Sequence, residues 1–335
     1  MDKSAKSMLL IIFSLLFCLN TAAQGDWKRE QTSALSEIST QSLYSEVAFL
    51  TDSICGGRAT GTGESMAAAF MIARKFSNFG LLPLTDGYAT HFTTPNGTYG
   101  HNIIGMIPGS YTKPTEKYFI VGAHYDHLGR LDGKLYPGAD ANASGTAALT
   151  ALAKIFGQMK EMGRVYATNI IFVAFDAKEM GMAGSASLWK LIDYGFLKDP
   201  ITGNGITREK ITGMANIDQI GSSLSPVRSS RPDYILMLGN ESLHKTKRGN
   251  IETCNTLPET GLDLCLSYYG SKTFTEVFYK LSDQKVFAEN RIPAVFFTSG
   301  ITMNNNKTRD TAETLDYEVL KKRVSLIYHW IESML

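Results

Sequence analysis

His124 and Asp126 lie two residues apart in "HYDH", Glu179 follows an apolar run in "FDAKEMGMAGS", and Asp218 sits in "NIDQIG". An imidazole nitrogen and two carboxylate oxygens form a donor set that zinc accepts. If His124 and Asp126 share a strand face, Asp126 can orient the ring, as metal sites often require. Each residue alone reads equally well as a polar group satisfied at a strand end, so the weight rests on their convergence. Lys178 is the residue out of place, an ammonium beside Glu179 where a hydrolytic site of this shape would carry a second carboxylate.

Short apolar runs must carry these residues. "HNIIGMIPG", "KYFIVGAHYDH", "ATNIIFVAFDA", "GMANIDQIG", "DYILMLGN" and "IPAVFFTSG" read as strands, several of them apolar throughout and so covered on both faces. Helical spacing of three and four runs through "SEISTQSLYSEVAFL", "ESMAAAFMIARKFSNFG", "ASGTAALTALAKIFGQMKE", "SASLWKLIDYGF", "KTFTEVFYKLSD" and "AETLDYEVLKKRVSLIYHWIESM". The expected fold is α/β, a three-layer α/β/α sandwich around a mixed, largely parallel sheet. In such sheets the site forms where strands end. "HYDH", "DAKE" and "NIDQ" follow strands, and "PGADANASG" enters the long helix. The glycine-rich "CGGRATGTGE" lacks the setting of a phosphate loop and reads as a structural connection. Residues 222–270 break the rhythm and read as an insertion beside the site, within a single domain spanning 24–335.

The chain has 335 residues, 44% hydrophobic and 19% charged, the composition of a globular protein. Lys3 and Lys6 precede the apolar run Met8 to Leu19, and "NTAAQ" follows, the pattern of a signal peptide cleaved after Ala23. The run is too short to span a bilayer, so a secreted or periplasmic protein with no membrane contact after cleavage is expected. Removing residues 1–23 deletes two lysines and one aspartate from a chain of formal charge +1 and leaves it neutral. No basic patch argues for nucleic acid; "HKTKRG" reads as a solvated loop. Cys254 and Cys265 are candidates for a disulfide in an exported chain, with Cys55 left as a buried thiol.

The order of these clusters resembles the two-zinc exopeptidases of peptidase family M28. The resemblance runs through "GRATGTGE", "NIIGMIPG", "VGAHYDHLG", "PGADANASGTAAL", "FDAKEMGMAGS", "NIDQIG", "SDQKVFAENRIPAVFFTSG" and "DTAETLDYE", nearly all of the mature chain. It implies a zinc-exopeptidase-like fold and zinc-assisted removal of N-terminal residues. In that chemistry a bridging Asp holds two zincs, each with two further ligands. A Glu beside one ligand takes the proton of the attacking water, whose pKa the metals lower.

Carried over by position, the resemblance makes His124, Glu179 and Asp218 retained metal ligands and Asp126 the acid that orients His124. Ala141 stands at the bridging Asp, Lys178 at the general base and Asn306 at the final His. Gln284 stands where "SDH" is usual, which places it with Asp140 along the substrate cleft. Two of five ligands and the base are therefore substituted, and neither metal keeps the three protein ligands of a catalytic zinc. Lys178 would neutralise the remaining carboxylates, pairing with Glu179 or Asp218. As a base it would need a pKa about 3 units below the ordinary lysine value, against the pull of those carboxylates. The expectation is a pseudo-peptidase with no zinc, or one weakly bound zinc, and a cleft that takes a peptide or protein N-terminus. The alternative is an active zinc-dependent aminopeptidase with a remodelled one-metal site, with Asp140, His127 or His244 supplying a ligand. A cyclase of the same fold acting on N-terminal glutamine needs the same missing Asp and His.

Overall fold

The computed structural model describes residues 31–224 and 230–335; the expected signal segment at 1–23 lies outside them. Among the described residues, one mixed sheet of nine strands organises the fold. Its strands are β1 (Leu82–Pro83), β2 (Ala89–Thr93), β3 (Tyr99–Ile107), β4 (Tyr118–His124), β7 (Asn169–Phe175), β8 (Ile211–Ile217), β9 (Tyr234–Leu238), β10 (Asp263–Cys265) and β11 (Ala294–Thr298). A separate hairpin is formed by β5 (Gly129–Leu131) and β6 (Lys134–Tyr136). The sheet order is β1-β3-β7-β4-β8-β11-β9-β10, with β2 paired to β3. The central four, β7, β4, β8 and β11, run parallel, while β3 and β9 reverse direction on either side.

Every residue of β4, β7, β9 and β11 is buried, as continuous apolar runs require. The strand alternation divides the core in two. Phe119, Val121 and Ala123 of β4 face one cluster with Phe172 of β7, and Tyr118 and Ile120 face the other with Val173. The first cluster is capped by α1 (Thr40–Thr51), α2 (Gly63–Asn78), α3 (Ser144–Glu161) and the C-terminal helix α8 (Tyr317–Met334). The second is capped by α4 (Ala183–Asp193) and α7 (Gln284–Glu289). Three layers result, and among the described residues no helix is long and apolar enough to cross a membrane.

The segment 222–270, expected as an insertion beside the site, adds to one edge of the sheet. It supplies β9, antiparallel to β11, and β10, parallel to β9. Within it Cys254 ends the short helix α5 (Asn250–Cys254), buried in the cluster of α8, while Cys265 ends β10 beside Leu236. The two lie on different elements and are not joined by a disulfide. Helix α6 (Lys272–Tyr279) packs Phe278 against Phe296 of β11.

The glycine-rich turn after α1 is a clamp. Arg58 is wholly buried at φ 55° and donates to the carbonyls of Leu50, Tyr125 (2.6 Å), Pro137 (2.8 Å) and Gly138 (2.8 Å). One guanidinium thus fixes the loop after β4 and the loop entering α3. Gly57 has no room for a side chain, since a Cβ there would meet the Tyr136 carbonyl at 2.5 Å.

Candidate functional site

Because β4, β7 and β8 are parallel, their carboxyl ends share one edge. His124 ends β4, the segment 176–182 follows β7, and Asp218 follows β8. His124 is fully buried, with Nδ1 donating to the Asp126 carbonyl at 3.1 Å and Nε2 3.1 Å from Asp218 Oδ1. A ring that donates at Nδ1 and faces a carboxylate at Nε2 carries both protons, so His124 is an imidazolium. Burial is the largest influence and works against that charge, but Asp218 and Asp126 together outweigh it and hold the His124 pKa up at about 10.

Asp126, expected to orient the His124 ring, meets it at Nδ1, its backbone carbonyl closer than its carboxylate. The carboxylate stands 3.5 Å from Nδ1 and accepts the backbone N–H groups of Lys178 and Glu179, both at 3.0 Å. It therefore holds the loop after β7 in place. Lys178 Nζ lies 3.0 Å from Glu179 Oε1 and 4.0 Å from Asp218 Oδ2. Burial disfavours the ammonium, yet Asp218 and Glu179 together raise its pKa above the ordinary lysine value. Asp218 also accepts from the Ser282 hydroxyl at 2.7 Å. Its burial is offset by His124 and Lys178, which keep its carboxyl below the usual range.

The other expected residues do not join this cluster. Ala141 is buried, and its N–H donates to Asp310 Oδ2 at 3.1 Å. Asp140 turns its Oδ1 to the Gly221 N–H (2.8 Å) and the Ser144 hydroxyl (3.2 Å), away from a bridging role. Burial and the neighbouring Asp310 push the Asp140 carboxyl up to about 7. Gln284 is buried, with Oε1 accepting from Asn216 Nδ2 at 2.9 Å and its amide donating to the Tyr279 carbonyl. Asp140 and Gln284 are thus spent on the scaffold rather than lining an open cleft. Asn306 is exposed at φ 54°, on the wall of a cavity with Lys134 and Tyr136. His127 is buried with neither ring nitrogen hydrogen-bonded among the described residues, and burial and Arg58 keep it neutral. His244 is exposed and bonds Thr246 Oγ1 at 2.8 Å.

These positions do not fit a zinc ion. Nε2 of His124, which would have to offer a lone pair, faces the oxygen of its would-be fellow ligand Asp218. An ammonium stands between Asp218 and Glu179. Among the described residues no group of three or more His, Cys, Asp or Glu side chains is disposed to hold a metal.

Several residues of the site were not singled out in the sequence. Asn142 ties the edge together, donating to the carbonyls of His124 (3.2 Å) and Ile217 (2.9 Å) and accepting from Gln219 N–H (2.9 Å). Asp310 accepts the N–H groups of Asp140 (2.9 Å) and Ala141. Asp283 is fully buried, and neither carboxylate oxygen has a hydrogen bond among the described residues. The neighbouring Ser185 hydroxyl donates instead to the Met182 carbonyl at 3.1 Å. Burial pushes the Asp283 carboxyl up to about 7. "SDQ" in the sequence was the available signal for Ser282 and Asp283, which immediately precede Gln284.

The sequence pattern of Peptidase family M28 matches residues 102–331. A probable zinc metalloprotease of Pyrenophora tritici-repentis is 25% identical over 247 residues, covering 64% of this chain and 52% of the relative. The chain thus spans about half the length of the curated relatives it matches. Among solved structures, the LapA aminopeptidase of Legionella pneumophila superposes with a TM-score of 0.67 at 16% identity, over 92% of this chain and 74% of that one. Porphyromonas gingivalis glutaminyl cyclase superposes with a TM-score of 0.63 at 16% identity, over 89% of this chain and 99% of that one. At such identities the likeness of structure shows the fold.

Proposed function

We propose that this chain, which belongs to peptidase family M28, is an exported aminopeptidase-fold protein that binds a peptide or protein N-terminus without hydrolysing it. The observation that carries the reading is the Lys178 ammonium, 3.0 Å from Glu179 and 4.0 Å from Asp218, between carboxylates the family devotes to metal. Hydrolysis of an amide needs a group that takes a proton from water. Lys178 stands at that position with a raised pKa and has no lone pair to offer near neutral pH. His124 carries both its protons. Glu179, partly exposed, is the carboxylate left to meet a peptide ammonium. Support for export is the Lys3, Lys6 and Met8-to-Leu19 pattern followed by small residues.

The test compares zinc content and aminoacyl-anilide hydrolysis of the mature protein with those of an Ala141→Asp, Lys178→Glu, Asn306→His variant. The native protein is expected to hold substoichiometric zinc and show no chelator-sensitive hydrolysis. Stoichiometric, tightly held zinc with turnover abolished by chelator would overturn the reading in favour of a remodelled one-metal aminopeptidase.

A further inference from the structure

Asn306, at the substituted final-ligand position, opens onto a cavity of about 360 Å³ lined by Lys134, Tyr136, Asn306, Lys307, Thr308 and Arg309. We propose that this cavity receives an oxyanion, carried as a carboxylate on the peptide bound in the cleft. The proposal rests on the reading of the cleft as peptide-binding and adds a ligand class to it.

Three cations face one small space, and no lining residue is acidic. None of Lys134, Lys307 and Arg309 forms an ion pair with another described residue; Arg309 gives one N–H to the Met303 carbonyl at 3.0 Å. Asp310, next to Arg309 in sequence, is buried and turns both oxygens inward to the N–H groups of Asp140 and Ala141. Like charges gathered without a counter-charge repel one another and raise the local concentration of an anion. The Tyr136 and Thr308 hydroxyls and the Asn306 amide add neutral donors, and a guanidinium matches the geometry of a carboxylate. The cavity is also tied to the candidate site. Its walls are β6 and the loop before Asp310, and Asp310 holds the 139–141 loop through three hydrogen bonds.

Calorimetric titration of the mature protein at low ionic strength tests this. The probes are tetrapeptide amides with Glu at the second, third or fourth position, each against its Gln counterpart, and inorganic phosphate. At least one Glu peptide is expected to bind about tenfold tighter than its Gln partner, as several exposed ion pairs would give. That advantage should disappear in Lys134→Gln/Lys307→Gln, which leaves the Arg309 bond to Met303 intact, and in ~0.5 M salt. Phosphate should compete with the Glu peptide. Equal binding of every Glu and Gln pair overturns the carboxylate site while the peptide cleft stands. Phosphate binding that is lost in the double variant, with no peptide binding, rejects the peptide reading and leaves a site for a free anion. No binding of any probe overturns both.

Discussion

Replacing Lys178 with Met removes one cation from between two carboxylates while keeping the length of the side chain. At an effective dielectric near 20, contacts of 3.0 and 4.0 Å correspond to roughly 5 and 4 kcal/mol of attraction. Desolvating the ammonium costs several kcal/mol, and the 15% and 20% exposure of the Lys178 and Glu179 side chains admits screening. The net loss expected is ~2–3 kcal/mol, mostly the cost of leaving Asp218 with a single cationic partner. Because folding raises the lysine's pKa, this contribution is complete at pH 7. It fades only as pH climbs past the ordinary lysine value of 10.5 toward the folded value. Urea unfolding at pH 7 reads it as a drop in midpoint of about 1 M, taking a slope of roughly 2–3 kcal/mol per M. Combining Lys178→Met with Asp218→Asn should cost less than the sum of the two, by ~1 kcal/mol or more, because the residues share one interaction. A shift under ~0.5 kcal/mol with strict additivity, as for a surface lysine, would refute the assigned role.

Arg58→Met leaves four buried carbonyls without their shared donor and should lower Tm by roughly 6–12 °C, read by calorimetry; a change within about 2 °C would contradict the clamp. His329 is half-buried, and that burial depresses its pKa to about 4 from 6.5, so the unfolded chain takes up a proton there before the folded one does. Wild-type stability should therefore fall as pH drops through 6.5 toward 4, and His329→Gln should remove ~1–2 kcal/mol of that fall after allowance for solvent screening. Parallel curves for the two proteins in acid denaturation would rule this out. Thiol titration of the mature chain in denaturant without reductant should count three thiols. In the native state Cys55, fully buried and with its pKa pushed up to about 11 by burial, should stay silent; a single titrating thiol in denaturant would mean a Cys254–Cys265 bond.

The central strands were legible because burial on both faces leaves an unmistakable signal: "YFIVGAH" and "NIIFVAF" have almost no room for polar residues. The retained polar positions were legible for a related reason, since parallel strands deliver their C-terminal residues to one edge. The sequence could not show how those side chains are engaged. Nothing in "HYDH" distinguishes a carboxylate that orients a ring from one that holds two backbone N–H groups. Nor does "PGADAN" reveal that Asp140 turns toward Gly221, because the direction of a side chain on an irregular turn depends on partners some eighty residues away. Arg58 stood between glycines and small residues with no charged neighbour in sequence, and its partners are all carbonyls, which no composition reveals.

A metal ion is exchangeable, and a site built on one has two forms whose ratio follows the surrounding supply of that metal. The Lys178 ammonium is tethered to the same loop as Glu179, so its local concentration is set by a few covalent bonds. It cannot be leached, competed away or swapped for another cation. On the proposed metal-free reading, the geometry of this edge of the sheet is a property of the chain alone, the same in a metal-starved medium as in a metal-rich one.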